Sequence, residues 1–108
     1  MEADYKTIRR GYIKMETKNT ITAFHILGTE GGVLKLNTSK IYHWNIPKRL
    51  REVPIQKGDI VLVSTAIGKR RVLVMDVFRE EFEETQRRYR KVLKVIEKAP
   101  ININENEG

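Results

Sequence analysis

Hydroxyls, imidazoles and carboxylates are the side chains of this sequence that could do chemistry together. Ser39 or Ser64, His25 or His43, and Asp59 or Asp76 can be assembled on paper into a nucleophile, a base and an orienting acid. Their sequence context does not support that assembly. There is no nucleophile elbow, no phosphate-cradling glycine loop and no zinc-hydrolase helix motif. Cysteine is absent, which removes thiolate zinc sites, disulfides and a cysteine nucleophile at once. Asp76, alone in an apolar stretch, reads less as a perturbed catalytic carboxylate than as a residue facing a barrel end or pairing with a neighbouring arginine, Arg70 or Arg71. Glu80, Glu81, Glu83 and Glu84 suit the start of a helix, where the dipole favours carboxylates, better than they suit a metal site. The expectation is a protein that is not an enzyme and carries no cofactor and no metal.

Cations carry the stronger signal. Twenty-one Lys and Arg stand against fourteen Asp and Glu, a formal charge of +7. Residues 1–78 hold fourteen of those cations against seven acids, so most of the excess lies ahead of the C-terminal segment. It clusters at Arg9 and Arg10, at Lys48, Arg49 and Arg51, and at Lys69, Arg70 and Arg71, with Tyr12, Tyr42 and Trp44 close in sequence. A single strand of nucleic acid needs cations to neutralise phosphates and rings to stack on bases. Arg87, Lys91, Lys94 and Lys98 follow at i, i+4, i+7 and i+11, a stripe on one face if the segment is helical. The competing reading makes these cations solvated strand ends and a solubilising helix face, with the aromatics in the core.

Specific elements must hold those residues. Thr7 to Met15 and Thr20 to Leu27 are rich in β-branched and aromatic types and bounded by turn formers, as strands are, with a hairpin loop over Glu16 to Asn19. Gly28, Gly31 and Gly32 punctuate the chain before a third strand at Val33 to Leu36. Asn37 to Lys57 keeps no period, contains Pro47 and Pro54, and is expected to be one long loop, with Ile41 to Trp44 as a short strand or an apolar plug inside it. Ile60 to Val63 and Val72 to Phe78 form the clearest hairpin. Both strands are apolar on two faces, so the hairpin must be central and covered on its second side. A C-terminal helix over 79–98 supplies the cover, because Phe78, Phe82, Tyr89, Val92, Leu93 and Ile96 gather on one face at a period of 3.6. Phe82, Tyr89, Leu93 and Ile96 should then pack on Ile60, Leu62, Val72 and Val74. Pro100 ends the helix, and 99–108 is expected to be a flexible tail.

At 108 residues the chain suits one domain with one modest core. The expected fold class is α+β: a bent antiparallel sheet or small barrel of five or six strands over residues 1–98, closed by the amphipathic helix. No apolar run approaches the roughly 20 residues that span a bilayer, and the first residues are charged and mixed rather than signal-like. The expected location is cytoplasmic, with no membrane partner and no small-molecule substrate.

The run Ile55-Gln56-Lys57-Gly58-Asp59-Ile60-Val61-Leu62-Val63, then Gly68 and the strand Val72 to Val77, resembles the small-barrel pattern of KOW-type and SH3-like domains. With Phe24 to Leu27 as the preceding strand, it is also similar to the amino-terminal barrel of the primosomal replication-restart helicase. The insertion at 37–51 and the long helix depart from that pattern. Short chains with this hairpin resemble uncharacterised proteins of bacterial plasmids and phages. The resemblance implies an SH3-like barrel and adds an alternative to RNA or single-stranded DNA as partner: an anti-CRISPR-type inhibitor that binds an RNA-guided nuclease or its guide RNA. Its contact surface would be the loop bearing Tyr42, Trp44 and Arg49, since Trp, Tyr and Arg are the usual interface anchors.

Overall fold

Alternating β-branched and aromatic residues make strands of most of residues 18–100, the part of the chain that the structure, a computed structural model, describes. The strands are β1 (Thr20–Glu30), β2 (Val33–Asn45), β3 (Ile60–Thr65), β4 (Gly68–Phe78) and β5 (Val92–Glu97). They form one antiparallel sheet in the order β2-β1-β4-β3-β5. β1 and β2 are joined through Gly31 and Gly32, whose φ values of 59° and 80° suit the tight turn of a two-residue hairpin.

One face of the sheet is the core. Ile21, Ala23, Val61, Val63, Val72, Val74 and Val92 are fully buried there, and Trp44, Ile46 and Ile55 close over them. Removing each of the valine and isoleucine side chains from water contributes about 1.5–3 kcal/mol. The sheet curls around this core until its two outer strands meet at one corner. There the Asn45 amide donates to the Arg90 carbonyl (2.9 Å) and Asn45 bridges Lys91 in parallel. From inside, Trp44 Nε1 donates to the Ser64 carbonyl (3.0 Å) and ties β2 to β3.

The C-terminal helix expected over 79–98 does not exist. A single helical turn, α1 (Phe82–Thr85), ends at Gln86 in the left-handed region (φ 62°), and β5 then pairs with β3. The fold is nearly all-β, not α+β. Val92, Val95 and Ile96 are β-branched and prefer extended backbone, and β3 would otherwise present a bare edge. Those two demands outweigh the helical spacing. The expected packing changes with it: Phe82, Tyr89 and Leu93 are half-buried and Ile96 is exposed, while Val72 and Val74 face the core without them.

The expected loop at 37–57 is also shorter than the sequence suggests. β2 runs on to Asn45, and only the stretch from Ile46 to Asp59 is irregular, apart from a 3-10 turn at Lys48–Leu50. Alternation is lost because His25 pairs with Asn37 but Ala23 pairs with Tyr42, which leaves 38–41 opposite Phe24 alone. Asn37 Oδ1 braces the extra residues, accepting from the Ser39 amide (3.1 Å) and hydroxyl (2.6 Å). The strand expected at Thr7 to Met15 and the tail from residue 101 onward lie outside the described residues.

Candidate nucleic-acid interface

Strand alternation sends Val61 and Val63 inward, so Ile60, Leu62 and Ser64 face outward from β3. Register then decides their neighbours. Leu62 stands between Arg71 of β4 and Lys94 of β5. One step along, Ser64 pairs with Lys69, and its amide donates to the carbonyl of Lys91 (3.0 Å). Lys69, Arg71, Lys91 and Lys94 therefore surround Leu62 and Ser64 on one face. Adjacent strands are about 4.8 Å apart and alternate residues about 7 Å apart, so this patch measures roughly 10 by 7 Å. All four cations are exposed, and the ion pairs among the described residues are Lys35–Glu30, Arg79–Glu81 and Lys98–Asp59, none of which uses them. Farther along the same face lie Leu73 and Phe24, paired across β4 and β1.

The remaining sequence candidates are dispersed. Arg9 and Arg10 lie outside the described residues. Lys48 is exposed on the 3-10 turn, and Arg49 reaches from that turn to donate to the Leu93 carbonyl (2.8 Å). Arg51 grips the Ile46 carbonyl with Nε (2.9 Å) and Nη2 (2.6 Å), which is a structural task. Arg70 pairs with inward-facing Val63 and folds back onto the Lys69 carbonyl (2.8 Å). Lys98 is held by Asp59 and the Pro54 carbonyl. Trp44 is 4 % exposed and belongs to the core, whereas Tyr42 is 39 % exposed.

Tyr42 and Trp44 pack edge-on against His25, at centroid separations of 5.1 and 5.5 Å. Burial, and secondarily the charge of Arg70, lower the His25 pKa below the usual imidazole value.

A second aromatic group lies where the sheet closes. His43 accepts or donates at Nδ1 with the Thr22 hydroxyl (3.1 Å) and packs against Phe78 and Tyr89. Tyr89 in turn meets Phe82 edge-on at 5.7 Å. Beside them opens a cleft of about 590 Å³ lined by Asn45, Phe82, Gln86, Arg87, Arg88 and Tyr89. Of this set the sequence marks only Arg87 as a binding residue, in a helix stripe, and assigns Phe82 and Tyr89 to the buried face of that helix. The run Arg87-Arg88-Tyr89-Arg90-Lys91 carries the same interleaving of cations and ring that marked the other clusters, and the assumed helix hid it.

The described residues contain no cluster of His, Cys, Asp or Glu able to hold a metal, and no described helix is long and apolar enough to cross a membrane.

Residues 16–98 match a family of unknown function, DUF5839, and the chain belongs to that family. No curated protein and no solved structure matches the chain.

Proposed function

We propose that this protein is a non-enzymatic binding module for single-stranded nucleic acid, RNA or DNA, acting in the cytoplasm through the outer face of β3, β4 and β5. One observation carries the reading: register gathers Lys69, Arg71, Lys91 and Lys94 from two separate segments onto one exposed face, without ion-pair partners among the described residues. Four mutually repelling cations on one surface gain most from a polyanion, whose counterions are released on binding. Leu62, Leu73 and Phe24 beside them offer a surface on which bases can lie.

Titration of labelled RNA, single-stranded DNA and duplex DNA at several ionic strengths tests this. Four phosphate contacts give a slope of about −3 in log affinity against log salt for a single strand. Lys94→Gln and Arg71→Gln should each reduce that slope by about one unit. Lys98→Gln, which removes a cation already engaged by Asp59, should leave it unchanged. No binding to any strand at low salt rejects the proposal. A partner that co-purifies through nuclease treatment and high salt would instead be an acidic protein surface, such as that of an RNA-guided nuclease.

A further inference from the structure

The cleft at the closing corner of the sheet adjoins the basic face. Asn45 lines it and bridges Lys91, one of the four cations of that face. Its composition differs from that of the face. Phe82 and Tyr89 supply aromatic walls, and Arg87 and Arg88 line it with no carboxylate among the described lining residues. The walls are fixed. Tyr89 is held between Phe82 and His43, and His43 by Thr22. Arg87 Nη1 lies 3.4 Å from the Tyr89 hydroxyl, which keeps a cation at the edge of the ring. Asn45 Nδ2 donates to the Asn19 carbonyl (3.1 Å), so this amide has a set orientation. At about 590 Å³ the cleft is within the ordinary range for small planar ligands.

We infer that this cleft takes one unstacked base of the bound strand, with the adjoining phosphates running over Arg87 and Arg88 toward Lys91. Aromatic walls recognise a planar ring, arginines recognise the flanking anions, and the fixed amide of Asn45 can read a base edge. A simple apolar partner would desolvate Arg88, and would desolvate Arg87 with only the attraction of Glu80 to offset the loss. The inference rests on the nucleic-acid reading and adds to it a subsite for the base, distinct from the phosphate face.

A strand bearing bases and an abasic strand of equal length, each fluorescently labelled, separate the two levels. Wild-type protein should bind the base-bearing strand roughly 5- to 150-fold more tightly, the range expected for one stacked base. Tyr89→Leu, which keeps an apolar side chain but removes the ring, should abolish most of that difference while leaving affinity for the abasic strand unchanged. Lys94→Gln should weaken both strands alike. Equal wild-type affinity for the two strands overturns the base subsite and leaves the phosphate face standing. A base preference that persists when Phe82 and Tyr89 are both replaced by leucine also overturns it, because the stacking ring must then lie outside the cleft. Binding of a free nucleoside monophosphate as tight as that of the strand would make this a mononucleotide site and overturn the assignment to a strand. Failure of both strands to bind at low salt removes the inference together with the function on which it rests.

Discussion

The fully buried carboxylate of Asp59 meets the ammonium of Lys98 at 2.5 Å and so joins the turn before β3 to the end of β5. The same carboxylate accepts the Gln56 amide (2.9 Å) and the Ala99 amide (2.7 Å). The turn itself disfavours a larger residue at Gly58, where φ is 95° and an added Cβ would stand 3.0 Å from Ala99 Cβ. A buried carboxylate stripped of such donors would be costly, and donors stripped of the carboxylate equally so. Asp59→Ala should therefore destabilise the fold by about 2–4 kcal/mol in urea titration. Lys98→Gln should cost about 1 kcal/mol or less, because the ammonium is partly exposed and the Gln56 and Ala99 amides still satisfy the carboxylate. Equal losses for the two variants would mean that the ion pair, rather than the backbone amides, dominates this joint.

How far the sequence reveals this arrangement depends on the distance over which each element is decided. β1, β3 and β4 are legible because Thr20 to Leu27, Ile60 to Val63 and Val72 to Phe78 carry β-branched runs between turn formers, a local signal. β5 is not. Val92, Leu93, Val95 and Ile96 satisfy a helical face and a strand almost equally, and the choice falls to the open edge of β3, which no local window contains. β2 beyond Leu36 is obscured by the extra residues at 38–41, which break alternation within a continuous strand. The site follows the same division. Lys69, Arg71, Lys91 and Lys94 are each identifiable as surface cations, but their assembly around Leu62 is a property of register between strands.

His25 should make stability depend on pH in mildly acid solution. Its pKa is lowered in the folded state by burial first and by Arg70 second. Near and below pH 6.5 the unfolded chain therefore binds more protons at this site than the folded one. Stability is complete above that value, falls as pH drops through it, and levels off below the folded pKa. His25→Phe should flatten this part of the stability profile. In an NMR titration, Arg70→Gln should raise the His25 pKa without returning it to the usual value, since burial is the larger cause. No change with Arg70→Gln would remove the guanidinium from the argument.

Trp44 is the sole tryptophan in the chain, so its fluorescence reports one place. The indole is buried, donates to the Ser64 carbonyl at 3.0 Å and closes β2 onto β3. Its emission should be blue-shifted and protected from acrylamide, and should move to the red only on unfolding. Added nucleic acid should quench it little, because stacking on bases requires an exposed ring. Strong quenching by a short strand, without loss of secondary structure, would instead bring Trp44 to the surface and contradict its core position.

Residues Val92 and Leu93 distinguish a strand from a helix at the C-terminal segment most directly. On a helix covering the sheet both would lie on the buried face, and the larger Leu93 would contribute more. In β5 the two are separated: Val92 is fully buried opposite Val63, while Leu93 is half-buried at the register shift between Leu62 and Val63. Val92→Ala should then cost about 2 kcal/mol, from two methylene equivalents of lost burial and a small cavity. Leu93→Ala should cost less, about 1 kcal/mol, since a half-exposed side chain leaves no closed cavity and its carbonyl still accepts from Arg49. The measurement is the shift in denaturant midpoint at constant m-value. A Leu93→Ala loss clearly exceeding that of Val92→Ala would restore the helical packing and sink the pairing of β5 with β3, and with it the position of Lys94 beside Arg71.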